Sequence, residues 1–156
     1  MKESLNDAKE ELKRVDHLLF VSLKYTRTVD VILNTINRMI QAYDRLIETL
    51  LRKAKEEGEI EEIPEAPKRR VSVVKDLHPD DETVQDNVDL YDLLRKIHRS
   101  KHEREREYRR HVTLRTYVDG REEIVNIDIC EEYYEFLQDF YDYVEAIVEE
   151  ATDDDE

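Results

Sequence analysis

One cysteine, two glycines and three prolines are all that these 156 residues contain of the types that staple, bend or interrupt a backbone. The lone Cys130 excludes an intramolecular disulfide framework and a thiolate-based zinc site. Near the start of a helix, it reads as a small, half-buried residue. With so little Gly and Pro, tight turns are rare and long helices are expected. No apolar run approaches the roughly 18–20 residues that span a bilayer, and Met1–Arg14 lacks the apolar stretch of a signal peptide. The expectation is a soluble, cytoplasmic protein with no membrane partner.

Charge, in contrast, is abundant. Asp, Glu, Lys and Arg make up 42% of the chain, and the formal net charge is −15. Such a composition suits solvated helix faces laced with ion pairs and is shared by many thermophile proteins. It argues against a general nucleic-acid coat protein and leaves room for a local basic site.

Apolar residues from Leu12 to Leu50 recur at alternating spacings of three and four, the pattern of a helical seam. The seam turns polar at Ser22 and Thr26, inside a run of weak helix formers, Tyr25-Thr26-Arg27-Thr28. Two helices are therefore expected, about Glu3–Lys24 and Thr28–Glu57, with Thr26 or Thr28 as N-cap and Gly58 as C-terminal cap. Residues 58–83 read as a connector. It holds all three prolines, and residues 56–67 contain six Glu and no basic residue, so its acidic half is expected to be exposed and mobile. Val71–Val74 reads either as a short strand or as a segment packed on the helices. A third helix starts near Asp80–Thr83. Its face Leu90, Leu94, Ile97 continues at helical spacing into Lys101, Arg104, Tyr108 and His111. The third helix is thus read as running into the basic stretch Arg95–His111.

Residues 112–129 have the period of strands. Val112–Val118 and Arg121–Ile129 flank Asp119-Gly120, a strong two-residue hairpin signal. The last helix is expected over about Ile129–Ala151, with Asp128 and Glu131 as a capping pair. Its seam is Tyr133, Leu137, Phe140, Val144, Ile147 and Ala151. Tyr134, Phe136, Tyr141 and Tyr143 widen it enough to bury a second face against a partner subunit. The sum is a mainly α protein: a four-helix up-down bundle with a long second connection and a β-hairpin before the last helix. Residues 1–152 form a single helical-bundle domain, and 153–156 an acidic, frayed tail.

Three constellations carry chemistry. Between Arg95 and Arg115, nine Arg and Lys stand against three Glu, the one strongly basic patch in an acidic chain. Such a patch attracts phosphates. Three Arg–His pairs inside it have four to six intervening residues: Arg106 to His111, Arg104 to His111 and Arg95 to His102. Second, Lys24–Asp30 interrupts the apolar seam with polar groups that need partners. Tyr25, Arg27 and Asp30 are candidates to share a pocket with Arg106 and His111, with Asp30 orienting the His or pairing with an Arg. Third, His98 and His102 stand at i and i+4 on the expected helix. No third ligand is placed by spacing, so no metal and no cofactor are expected.

The Arg106-x4-His111 pair on a small helical bundle resembles the HEPN superfamily, whose motif is Arg-x(4–6)-His. The resemblance implies a homodimer that acts on RNA, with or without cleaving it. His111 would be the general acid or base and Arg106 would hold the phosphate, without metal. Arg104, Arg109 and Arg110 would bind flanking phosphates, and Tyr108 would stack on a base. The alternative is a non-enzymatic helical adaptor that binds other proteins through its aromatic last helix.

Overall fold

The computed structural model of the chain describes residues 1–154. Residues 155 and 156 of the expected acidic tail lie outside the described residues.

Helix α1 spans Lys2–His17, continues through a π-helical segment, Leu18–Ser22, and ends in one short turn, α2, Leu23–Tyr25. The buried positions run Leu12, Val15, Leu19, Leu23. Ser22, expected on the seam, is replaced there by Leu23. The π segment leaves Phe20 and Val21 exposed. Thr28 caps α3, Val29–Glu56, by accepting a hydrogen bond from the Val31 N–H at 3.3 Å. At the other end of α3, Gly58 sits at φ 77°, its N–H donates to Lys55 O and the Glu59 N–H to Ala54 O. That pair of bonds is a Schellman cap, and it needs the left-handed residue that Gly supplies most readily.

Helix α3 is the centre of the molecule. It packs against α1, against α4 (Pro67–Leu77), against α5 (Glu82–Arg99) and against α6 (Ile127–Asp154). Its buried side chains accordingly include Ile32, Ile36, Met39, Tyr43, Leu46, Ile47 and Leu51, which cover much of its circumference. Each such Ile or Leu contributes about 1.5–3 kcal/mol when fully removed from water. Two buried polar links hold α3 in register. The Tyr43 hydroxyl donates to Asn87 Oδ1 on α5 at 2.7 Å, and Thr49 shares a 2.7 Å hydrogen bond with Ser4 on α1. The Tyr143 hydroxyl of α6 donates to Asp81, the N-cap of α5.

The connector contains a helix rather than a strand. Val71–Val74 lies in α4, with Pro67 at its first turn, where a missing N–H costs nothing. Only Val74 of that run is fully buried, against the core. Ile60 and Ile63 of the acidic half also pack on the core, while its Glu residues are exposed.

The third long helix stops earlier than its periodicity predicts. α5 ends at Arg99, and the Ser100 hydroxyl donates to the Lys96 carbonyl at 2.5 Å. Beyond Lys101 the chain extends into β1, His102–Glu105, the first strand of a three-stranded antiparallel sheet in the order β1-β2-β3. Strands β2, Thr113–Val118, and β3, Arg121–Val125, form the expected hairpin, with Asp119 and Gly120 both at positive φ in its turn. Leu114, Thr116, Val118 and Val125 face the core. β3 ends at Val125 because Asn126 caps the last helix: its Oδ1 accepts from the Ile129 N–H at 2.8 Å. Helix α6 therefore begins at Ile127, ahead of the expected Asp128–Glu131 cap. Its buried seam is Cys130, Tyr134, Leu137, Phe140, Val144 and Val148. Tyr133 and Ile147, expected on that seam, are half-buried at its flank. Among the described residues, the protein is thus mainly helical with one small sheet, and no helix is long and apolar enough to cross a membrane.

Candidate functional site

Arg106 and His111 lie on the loop that joins β1 to β2, not on a helix. The strand that displaced the helix has its own logic. His102-Glu103-Arg104-Glu105 alternates basic and acidic residues with the period of a strand. The Arg115 guanidinium of β2 bonds Glu105 at 2.8 Å and Glu122 of β3 at 2.5 Å. Cross-strand charge pairs of this kind support a sheet. The alternation was the signal in the sequence, and the helical continuation Ile97, Lys101, Arg104 masked it.

Pairing of Glu105 with Thr113 closes the loop, so Arg106 and Val112 stand at its mouth. The loop is a compact turn. The Arg109 N–H donates to Arg106 O at 3.2 Å and the Val112 N–H to Arg109 O at 3.0 Å. Arg106 and Tyr108 are held at φ 53° and 64°, in the left-handed region. For residues with a side chain this costs about 1–2 kcal/mol each, and it persists only where neighbouring contacts impose it. One such contact crosses the molecule. The Tyr108 N–H donates to the Arg27 carbonyl at 2.6 Å, tying the loop to the bend between α2 and α3.

The bend and the loop are joined a second time by Arg104, whose Nη2 donates to Asp30 Oδ1 at 2.7 Å. Arg104 also lies 3.6 Å from Glu107. The Arg104 guanidinium holds the Asp30 carboxyl below its ordinary range. Tyr25, Arg27, Asp30, Arg104 and Tyr108, singled out from two distant stretches of sequence, therefore do come together. Asp30 pairs with Arg104 rather than orienting His111.

The assembled surface has a definite chemistry. Tyr25 and Tyr108 are each 79% exposed, so two aromatic faces are open to solvent. Lys24 beside Tyr25 in the chain, Arg106, Arg109, Arg110 and His111 on the Tyr108 loop, and Lys101 ahead of β1 are exposed as well. Among the described residues, none of these cations has a carboxylate within 4.0 Å. The spacing of the sequence does not link His102 to Arg27. Their Nδ1 and Nε atoms are buried without a hydrogen-bond partner, on the inner side of the same junction. His102 is reached by sequence only as a member of the Arg95-x6-His102 spacing and of the His98–His102 pair. That second pairing dissolves, since His98 lies in the last turn of α5 and His102 begins the strand β1. Among the described residues, no group of three His, Cys, Asp or Glu is placed to hold a metal ion.

The basic stretch that looks continuous in sequence divides in space. Arg104 to His111 faces the bend. Arg95 lies across the Tyr91 ring, its guanidinium carbon 5.7 Å from the ring centroid, on the side of α5 that faces α4. Arg115 is neutralised within the sheet. No protein-family model, no curated protein and no solved structure matches the chain.

Proposed function

We propose that the protein binds single-stranded RNA across the β1–β2 loop and the Tyr25–Asp30 bend. The observation that carries this reading is the pair of open tyrosines, Tyr25 and Tyr108, standing among cations that lack carboxylate partners. Bases of any identity stack on aromatic faces, and the surrounding Lys and Arg track the phosphates, which is the general chemistry of single-strand recognition. The loop supplies Arg106, Arg109 and Arg110 to phosphates. Arg104, held by Asp30, shapes the surface and is released to a phosphate only if that pair opens.

Metal-independent cleavage is the second reading, supported by the closed mouth of the loop, which begins at Arg106 and ends at His111 and Val112. In that reading His111 takes or gives the proton of the 2′-hydroxyl chemistry and Arg106 holds the phosphate. In that reading the protein is a homodimer with two such loops across a two-fold axis, and α1, α3, α5 and α6 serve as a HEPN-like four-helix up-down bundle. The adaptor alternative has less to stand on. Tyr134, Leu137 and Phe140 are consumed by the protein's own core, and Phe136 is the exposed large apolar residue left on α6.

The test is labelled single-stranded RNA incubated with the protein in EDTA, beside Arg106→Ala, His111→Ala and Tyr108→Ala, with binding and cleavage read separately. Binding lost in Tyr108→Ala supports the reading, and cleavage lost in both Arg106→Ala and His111→Ala assigns the chemistry to the loop. Cleavage that survives both substitutions removes it from this site. Failure of the parent protein to bind RNA at any length rejects the reading outright. Light scattering on the same samples measures the dimer.

A further inference from the structure

The other half of the basic stretch has a cavity of its own. Arg95 and Arg99, one helical turn apart, occupy the same side of α5. Helix α4 runs beside it and begins with Pro67 and Lys68. Between the two helices lies a cavity of about 190 Å³ walled by Lys68, Arg95, Lys96 and Arg99. Asp92 is the one carboxylate on its lining. It is already taken by Lys96 at 3.1 Å, and Lys96 also reaches Asp119 at 3.1 Å. Lys68, Arg95 and Arg99 are left with no carboxylate within 4.0 Å among the described residues. Arg95 has only the Tyr91 hydroxyl, at 3.3 Å, and the face of its ring.

Three cations without a direct carboxylate partner repel one another around one cavity, and Arg95 alone feels a carboxylate, Asp44, from behind the Tyr91 hydroxyl. The arrangement is favourable when an anion enters. Helix α4 adds to it: Ala66 gives no side-chain cap, Pro67 carries no N–H and the Arg70 N–H is taken by Ala66 O, which leaves the Lys68 and Arg69 N–H groups of the first turn. Pro67 and Val71 provide a short apolar wall.

We propose that this cleft binds a small, multiply charged phosphate compound of the pyrophosphate type, its charge matched by Lys68, Arg95 and Arg99. Arg95 is preset by Tyr91, so its fork is oriented before the ligand arrives. The ligand stands apart from RNA binding at the loop. The depth of the cavity and its few cations suit a compact anion, whereas a strand needs an open track of stacking faces.

Calorimetric titration at about 150 mM salt, near physiological ionic strength, tests it with inorganic phosphate, pyrophosphate, tripolyphosphate, a nucleoside triphosphate and a sugar bisphosphate as separate probes. Pyrophosphate-bearing probes are expected to bind at least tenfold more tightly than phosphate. Lys68→Ala with Arg99→Ala, both exposed and so compatible with folding, is expected to weaken them at least tenfold. Arg109→Ala, on the loop, is expected to weaken RNA binding there and to leave the affinity of these probes for the cleft unchanged. The nucleoside triphosphate and sugar bisphosphate arms identify the source of the phosphates. Absence of binding up to millimolar probe overturns the proposal. So does an equal loss in Arg109→Ala, which would mean diffuse attraction. So does binding of single-stranded RNA that competes at the cleft while the small probes fail. RNA affinity at the loop is measured on the same Lys68→Ala, Arg99→Ala protein, so the two readings fail separately.

Discussion

The Tyr108 N–H donates to the Arg27 carbonyl at 2.6 Å, fastening the loop after β1 to the bend before α3. Tyr108 is held in the left-handed region and is 79% exposed, as is Tyr25 of the bend. A large aromatic side chain held outward by a backbone bond is available to a ligand without first breaking a contact of its own.

Tyr25→Ala and Tyr108→Ala are therefore expected to leave thermal stability nearly unchanged and to weaken binding of single-stranded RNA. Each stacked base is worth about 1–3 kcal/mol by alanine substitution. Fluorescence anisotropy with a labelled oligonucleotide reads the loss. Unchanged affinity in both variants would remove stacking from the proposed function.

Asp30→Asn is expected to strengthen RNA binding. The carboxylate now holds Arg104 at 2.7 Å. Without it, Arg104 is free to meet a phosphate, and one negative charge leaves the surface. Affinity should rise several-fold. The plot of log K against log salt should steepen by about 0.7, the value for one phosphate contact on a single strand. A weaker or salt-insensitive complex would show that Arg104 serves only the fold.

Asp44 makes stability depend on pH. It accepts from the Tyr91 hydroxyl, and burial raises its carboxyl above the ordinary range, against the lowering effect of that hydroxyl and of Arg95, Arg70 and Arg45. Tyr91 itself is pushed up to about 12, by burial and by Asp44. The folded protein binds the Asp44 proton more tightly than the unfolded chain does. The contribution of Asp44 is thus complete below the unfolded pKa of about 3.9 and is lost as pH rises through its higher folded value. Urea unfolding of Asp44→Asn across that window should show stability relative to the parent improving as pH increases. A constant difference would mean that Asp44 keeps an unperturbed carboxyl.

Asn87→Ala strands the Tyr43 hydroxyl in the core, where Asn87 is its acceptor at 2.7 Å. A buried group left unpaired costs about 1–3 kcal/mol, in addition to the small cavity. Tyr43→Phe in the same background removes the stranded hydroxyl and should recover part of the loss. No recovery would place the cost in the cavity alone.

Gly58→Ala and Gly120→Ala each force a side chain into the left-handed region, at φ 77° and 79°. Open space surrounds both positions, so no clash adds to the cost. A loss of about 1–2 kcal/mol is expected for each, read as a lower unfolding midpoint with an unchanged slope.

Much of the architecture is legible in the order of residues. The α3 helix follows from its apolar period, its start from Thr28 and its end from Gly58. The β2–β3 hairpin follows from Asp119-Gly120 and alternating residues. These are local signals, in which capping hydrogen bonds and left-handed turns are decided by a few neighbours. Three other segments depart from their local pattern because of what lies beside them. The stretch after Arg99 fits a helix by its own spacing, and becomes β1 because β2 offers a ladder and Arg115 a partner for Glu105. Val71–Val74 has the composition of a strand, and becomes part of α4 because Pro67 starts a helix there and no strand lies beside it to pair with. Strand β3 ends at Val125, earlier than its alternation predicts, because Asn126 rather than Asp128 caps α6 by accepting from the Ile129 N–H.

For the candidate site, the sequence named Tyr25, Arg27, Asp30, Arg104 and Tyr108, and the spacing that linked them to a helix proved misleading. Their meeting depends on α5 running back along α3, so that the strand it releases reaches the N-terminus of α3. The basic stretch Arg95–His111 determined by itself that this protein carries a strongly basic segment in an otherwise acidic chain, because charge composition is independent of fold. Only the tertiary structure decided that the region is two surfaces, one on the loop and one between α4 and α5. Helix α5 ends between them, and a strand turns the remaining cations toward a different neighbour.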